Sequence, residues 1–436
     1  MDKLLKTKPK INIQTLGCKV NQQESQLLQN WFNTNGYEVV TGNVSADAYI
    51  INTCTVTSMA DSKSRQKIRK AKAINPDAIV AAIGCYPQVS ASELSSLDEI
   101  DILIGSEEKD NSAIIVAEAL KEKGVLPQIS EEERIILHIN KQDESLRTRA
   151  YIKIEDGCDR FCSYCIIPYA RGAVRSRSTH EILEETKEFL TLGYKEIIIT
   201  GINIALYGRD LVPKTSLYEL LLELSSIDGK FRIRLGSLEP NVVDIETVRN
   251  IASLPKLCHH WHLSLQSGSD KIIKDMNRNY SSEDFLQMVS ALREIDPFFS
   301  ITTDIIVGFP GETGEDFSKS IEIVKAVRFA KVHVFKYSKR KNTVAFSMEN
   351  QIPEQVKSLR SKELIDISEK MSRAFLEDCT DSKQEILIFG LDKSKTYYRG
   401  ITDNGIEVNI PISDEYSYKE NEFIFLNKNI NATYSE

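Results

Sequence analysis

The segment EDGCDRFCSYCIIPYARG, Glu155 to Gly172, carries three cysteines, Cys158, Cys162 and Cys165, in one short loop. Thiols this close bind a soft metal or oxidise to a disulfide, and their number separates the outcomes. A structural zinc site uses four Cys or His ligands at tetrahedral positions, and the nearest further candidates lie far along the chain. A disulfide would pair two thiols and strand the third. An iron-sulfur cluster held by three thiolates keeps one iron open for a substrate or cofactor. The chain shows no charged-then-apolar leader, bilayer-length apolar run or lipidation signal, so its eight cysteines are expected to be reduced ligands or nucleophiles in a cytoplasmic protein.

Three further cysteines pose the same question. Cys18 in TLGCKVNQQES, Cys54 in INTCTVTS and Cys85 in AIGCYPQ each end an apolar, strand-like run. In an open parallel sheet those ends lie along one edge and converge on a crevice, where thiols distant in sequence can meet. One buried cysteine behaves as a small hydrophobe. Three at the same end of successive strands point instead to a second cluster with one open iron. Cys258 in CHHW and Cys379 are expected to pack.

The elements that position these thiols follow from hydrophobic periodicity. A chain of 436 residues exceeds one ordinary core. Residues 1–125 alternate strand-like runs (INIQTLG, AYIINT, AIVAAIG, IDILIG) with helical stretches, Val20 to Asn35 and Ser58 to Ala73, which predicts a parallel-sheet α/β domain. Residues 126–147 suit a linker. Over 148–373 six strand candidates, AYIKIE, EIIIT, RIRLGS, HWHLSLQ, SITTDIIVGF and KVHVFKYS, alternate with helices as a partial (β/α)6 barrel, whose chemistry sits at the C-terminal strand ends. Cys158 follows the first of these strands. A charged helix, Glu354 to Asp378, precedes short strands over 374–436, a small β-barrel module.

The spacing Cys-x3-Cys-x2-Cys with Tyr164 before the last thiol resembles the signature of radical S-adenosylmethionine enzymes. With TLGCKVNQ, NTCTVT, GCYPQ, LQSGSD and DIIVGFPGET, nearly the whole chain resembles the radical S-adenosylmethionine methylthiotransferases. TLGCKVNQ and NTCTVT look most like the branch acting on N6-threonylcarbamoyladenosine at position 37 of tRNA. The resemblance implies that Cys158, Cys162 and Cys165 bind a radical-generating 4Fe-4S cluster and Cys18, Cys54 and Cys85 an auxiliary, sulfur-carrying one. It implies two uses of S-adenosylmethionine, one methylating the sulfur and one generating the 5'-deoxyadenosyl radical. It further implies a C-terminal TRAM-like RNA-binding module, a tRNA anticodon stem-loop as substrate, a flavodoxin- or ferredoxin-type electron donor, and a sulfur source, with no membrane partner. The rival readings are a methylthiotransferase on isopentenyladenosine or on a ribosomal-protein aspartate, and a non-catalytic iron-sulfur RNA-binding protein.

Around the radical loop the expected cofactor contacts are Tyr164, Thr200, Gly201, Asn203, Glu239, Gln266, Ser267, Ile306 and Gly308. Strand alternation puts His262, Ser264 and Gln266 on one face. The net charge of −8 opposes a global basic field, and six Lys/Arg face twelve Asp/Glu from Glu377 onward, so any grip on phosphate is local. Its expected carriers are Lys63, Arg65 and Arg69 in KSRQKIRKAK, Arg171, Arg175 and Arg177 in RGAVRSR, and Arg340 in YSKRK. Relatives commonly read Phe-Pro-Tyr-Ser-x-Arg-x-Gly-Thr-x-Ala where this chain has FKYSKRKNTVA, with Lys336 at the Pro position and Asn342 at the Gly position.

Overall fold

The computed structural model describes residues 8–126, 148–240, 244–380, 384–413, 416–425 and 433–435, the last three as backbone only. All but the first residue of the expected linker lie outside them. The N-terminal domain runs β1 (Lys10–Thr15), α1 (Lys19–Thr34), β2 (Glu38–Val40), β3 (Ala48–Thr53), α2 (Ser58–Ile74), β4 (Ile79–Gly84), α3 (Cys85–Leu94), β5 (Ile102–Ile104) and α4 (Ser112–Glu122). Its strands pair in parallel in the order β2-β1-β3-β4-β5. β3 and β4 are buried at every position, as strands covered by helices on both faces must be. Thr57 caps α2 by accepting from the Ala60 amide.

The barrel follows. It comprises β6 (Arg149–Lys153), the short β7 (Glu155–Asp156), α5 (Ile167–Arg171), β8 (Arg175–Ser176), α6 (Thr179–Thr191), β9 (Glu196–Thr200), α7 (Leu217–Ser225), β10 (Arg232–Leu235) and β11 (Ser237–Leu238). Then come α8 (Ile245–Ala252), β12 (His260–Leu263), α9 (Asp270–Asp275), α10 (Ser282–Ile295), β13 (Ser300–Val307), α11 (Gly314–Val327), β14 (Lys331–Lys336), α12 (Val344–Ser347) and α13 (Glu354–Thr380). Parallel ladders order the wall β6-β9-β10 and then β11-β12-β13-β14, with Ile233 bridging to Leu257 between the two halves. β10 and β11 are one strand broken at Gly236, so the wall has the six expected members. Ser178, Ser281 and Thr313 start α6, α10 and α11 with reciprocal capping boxes, which fix where each crossover helix begins. The wall's apolar outer faces and these helices form the largest core, around Trp261, Phe285, Phe299 and Phe329.

The C-terminal module is an antiparallel sheet ordered β18 (Phe423–Phe425), β15 (Glu385–Leu391), β16 (Tyr397–Thr402), β17 (Glu407–Pro411) and β19 (Thr433–Ser435). The expected boundary between 373 and 374 falls inside α13, which continues to Thr380 because Phe375 and Cys379 bury their side chains against Phe298, Ala330 and Ile406. The module docks on the N-terminal ends of the barrel strands. Glu196, with no exposed surface, accepts from Arg232 at 2.7 Å and Arg234 at 2.9 Å, and these arginines donate onward to the carbonyls of Ile401, Thr402 and Asp403.

Removing one member of a buried ion group strands the others without a counter-charge. Glu196→Gln should therefore cost about 3 kcal/mol or more, read as a lower urea midpoint, and should expose the chain near residue 384 to limited proteolysis. An unchanged midpoint and cleavage pattern would mean that the arginines do not hold the module.

Candidate active site

The loop after β6 is shaped by one glycine and a set of backbone contacts. Gly157 has φ 84°, and a Cβ there would overlap the carbonyl of Ala173, so only glycine lets the chain double back. The Cys158 amide then donates to Gly172 O at 3.0 Å, and the Cys165 amide to Cys162 O at 2.9 Å. Ser163 ties the loop's far side to the barrel: its amide donates to Met276 O and its hydroxyl to Asp275 O. These contacts turn Cys158, Cys162 and Cys165 into one cavity of about 760 Å³. Arg278 stands behind them, donating to Tyr164 Oη at 3.1 Å and to Cys162 Sγ at 3.8 Å. Burial, with the charges of neighbouring thiolates adding, pushes Cys158 and Cys165 up to about 12. A metal bound there would displace protons from these thiols.

The second set sits on adjacent strands. Cys54 and Cys85 directly follow β3 and β4, and Cys18 heads α1 just after β1. A Cβ on Gly17 would lie 2.6 Å from Cys54 Cβ, so glycine lets the Cys18 turn close onto Cys54. Cys18 lines the same cavity as the loop cysteines. Burial pushes Cys54 up to about 11, with Cys85 and Cys18 contributing by charge. Each set thus gathers three mutually interacting thiols, a donor set that fits a three-thiolate cluster.

Two buried arginines join the domains beside these thiols. Arg171, 1% exposed, donates to Asn21 Oδ1 at 2.6 Å, Glu24 at 3.2 Å and Asp156 at 2.8 Å. Asn21 Oδ1 also accepts from the Cys18 thiol at 3.6 Å. Arg340 pairs with Asp61 and Thr55, next to Cys54. The expectation that Arg171 and Arg340 grip RNA phosphate is corrected accordingly: both side chains are buried, with Arg171 engaged by Asn21, Glu24 and Asp156 and Arg340 by Thr55 and Asp61. Arg65 is held by Tyr86 and Glu93, Arg69 by Glu99 and Arg177 by Glu185, while Arg175 donates to the carbonyls of Arg171 and Ala173. Lys63 stays exposed.

Thr200, Gly201, Asn203, Glu239, Gln266 and Tyr164 line the cavity. Any side chain at Gly201 would overlap the Glu155 carboxylate, which accepts from the Asn203 amide. Glu239 accepts from Arg160 at 2.8 Å and from Asn203 Nδ2 at 2.9 Å. Ser267, Ile306 and Gly308 do not reach the lining. Ser267 Oγ accepts from the Ser269 amide, Ile306 packs in a cluster with Tyr164 and Phe309, and Gly308 backs onto Lys357. In the FKYSKRKNTVA loop, Asn342 takes φ 69°, a conformation asparagine tolerates better than most residues, so it can stand for glycine. Lys336 pairs with Glu354 and Ser338 accepts from the Ser58 amide. Arg160, Glu155 and Lys19 belong to the site and lie inside the quoted cysteine motifs but were not singled out, while Arg278 carries no local motif that sequence reading could have used.

Residues 10–105 match the model described as Uncharacterized protein family UPF0004, and residues 152–324 match the Radical SAM superfamily. The threonylcarbamoyladenosine tRNA methylthiotransferase MtaB of Aquifex aeolicus is 40% identical over 84% of this chain and 90% of its own length. The tRNA-2-methylthio-N(6)-dimethylallyladenosine synthase of Clostridium tetani is 37% identical over 91% and 89%. A solved radical S-adenosylmethionine methyltransferase, TsrM from Kitasatospora setae, superposes with a TM-score of 0.55 over 78% of this chain and 74% of its own at 13% identity, a likeness of fold.

Burial raises the Glu155 carboxyl to about 8, and Asp156 adds to the rise, while one of its oxygens has no partner among the described residues. A carboxyl protonated in the folded state and ionised in the unfolded one stabilises most below pH ~4.5 and loses that contribution as pH rises through about 8. Glu155→Gln should remove this slope, so its urea midpoint relative to wild type should be higher at pH 8 than at pH 5.5. A constant difference would show that Glu155 ionises normally.

Proposed function

We propose, for a chain that belongs to the radical S-adenosylmethionine tRNA methylthiotransferase family, that its reaction is transfer of a methylthio group to C2 of N6-threonylcarbamoyladenosine at position 37 of tRNA. The observation that carries the reading is that Cys18, from the N-terminal set, opens on the same cavity as Cys158, Cys162 and Cys165. A radical source and a sulfur carrier must both reach one substrate atom, and a shared cavity satisfies that requirement.

Cys158, Cys162 and Cys165 would hold one 4Fe-4S cluster, and Cys18, Cys54 and Cys85 the other. Held by three thiolates, such a cluster would keep one iron free of protein ligands and would supply the electron for cleavage of S-adenosylmethionine. Arg278 donates toward Cys162 Sγ, a contact that favours the thiolate. Thr200, Gly201, Asn203, Glu239 and Gln266 form the wall against which the cofactor would lie, with Gly201 leaving backbone open to close approach. Tyr164 supports the loop through Arg278. Ser267, Ile306 and Gly308 lie outside that wall.

The substrate would be the anticodon stem-loop of tRNA. Lys63 remains an available phosphate contact, and engagement of Arg65, Arg69, Arg175 or Arg177 would require exchange of their present partners. We further propose domains at 1–125 and 148–380, with the RNA-binding β module after Thr380, a flavodoxin- or ferredoxin-type reductant, a separate sulfur source and a cytoplasmic location. No helix among the described residues is long and apolar enough to cross a membrane. A dimethylallyladenosine substrate is the second reading, favoured by the similarity to the Clostridium tetani synthase.

Mass spectrometry of tRNA nucleosides from a deletion strain should show loss of 2-methylthio-N6-threonylcarbamoyladenosine; loss of the dimethylallyl product instead would favour the second reading. In the purified protein, Cys54→Ala should lower iron to about half, because the two ligand sets are separate. It should still convert S-adenosylmethionine to 5'-deoxyadenosine while forming no methylthio nucleoside. Full iron with full methylthiolation in that variant would reject the second cluster.

A further inference from the structure

Ordinary (β/α) barrels fill their interior with Val, Ile and Leu. Here the inward positions of β12, β13 and β14 that line the cavity are polar except for Phe335. The parallel register sets His262 beside Thr302, Thr302 beside Lys331, and Asp304 beside His333, and all five line the cavity that holds the cysteines. Lys19, the first residue of α1, enters the same cavity from the N-terminal domain. Lys19, Lys331 and His333 keep exposed side chains, so water reaches them, and a ligand that displaces this water must replace its contacts.

The charges show what is missing. Asp304 is engaged by His262 Nε2 at 3.2 Å, and His262 Nδ1 meets Thr302 Oγ1 at 3.0 Å. Glu239, the other acid of the lining, is taken by Arg160 and Arg278. Lys19 and Lys331 have no carboxylate partner among the described residues. Lys19 also stands at the N-terminal turn of a helix, where the backbone dipole is already positive and a cation is unfavourable. Two ammonium groups thus open on the cavity without a counter-ion among its lining acids.

We propose that this inner chamber binds the N6 substituent of the substrate, with Lys19 and Lys331 as counter-ions to the threonyl carboxylate. Thr302 and the His262–Asp304 pair offer hydrogen bonds to its hydroxyl and ureido groups. The assignment rests on the threonylcarbamoyl substrate proposed above and makes both lysines specificity-determining. A dimethylallyl group would leave two ammonium groups facing hydrocarbon, the arrangement that rejects an analogue lacking the polar group a site is built for. Ligand atoms of His262, Asp304 and His333 also lie within 4.8 Å of one another, a spacing that a divalent cation could use. Both nitrogens of His262 are already engaged, and the two neighbouring ammonium groups repel a cation, so the geometry favours the anion.

Anticodon stem-loops carrying N6-threonylcarbamoyladenosine, its methyl ester or N6-dimethylallyladenosine would be titrated into reconstituted wild type, Lys19→Met and Lys331→Met by fluorescence anisotropy, then assayed for methylthiolation. Wild type should favour the acid over the ester by about tenfold or more in both Kd and kcat/KM. Each variant should bring that ratio toward one. A ratio taken within one preparation is insensitive to partial cluster loss beside Cys18, and Lys331→Met repeats the test away from the cysteines. Equal handling of acid and ester by wild type, or an undiminished ratio in both variants, overturns the chamber assignment while leaving the substrate intact. Product from the dimethylallyl stem-loop alone overturns the substrate reading itself. Zinc bound at one per chain and lost in His333→Ala would make the chamber a metal site and overturn the proposal.

Discussion

Arg171 leaves the barrel loop and donates to Asn21 and Glu24 on α1 and to Asp156 on its own hairpin, with almost no surface in water. Both cysteine sets lean on this group. It lies at the end of the segment that begins with Cys158, and Asn21 is the residue the Cys18 thiol touches. Burial alone would raise the Asp156 carboxyl, but Arg171 and Lys153 hold it at about 2. That contribution to stability is present above the ordinary carboxylate pKa and fades only as pH falls through about 2, so the clamp persists over any physiological range. Lys109 and Lys153 also approach Glu24, which makes the clamp a network. Breaking a buried network by removing one charge costs more than the pair contributes net, which is how such contacts fix one arrangement of two domains.

Arg340 repeats the device at the other side of Cys54. With two clamps in place, the C-terminal edge of the first sheet faces the C-terminal mouth of the barrel. Each of those edges is where its own fold gathers functional groups. Set edge to edge, they enclose one cavity instead of leaving two open crevices.

Much of this was legible in the sequence. Helices expected over Val20 to Asn35 and Ser58 to Ala73 run Lys19–Thr34 and Ser58–Ile74, because their apolar period is strong and Thr57 marks a start. The six barrel strands are also where the alternation put them, apart from the break at Gly236. Partners were not legible. Arg171 and Arg340 look basic and available in a linear string, yet Glu24 lies 147 positions from the first and Asp61 279 from the second. Ser267, Ile306 and Gly308 sit at the right strand ends but lie outside the cavity lining. The polar rows of β13 and β14 were visible as alternation in SITTDIIV and KVHVFK; only the fold says which face is inside.

Two clusters opening on one cavity would place the radical source and the sulfur carrier against one substrate atom. An iron-edge anomalous difference map from crystals of the reconstituted protein tests this directly. Two iron sites are predicted, one bonded to Cys158, Cys162 and Cys165 and one to Cys18, Cys54 and Cys85, with no protein side chain on the iron of each that faces the cavity. A single iron site, or a fourth side-chain ligand closing either one, would contradict it.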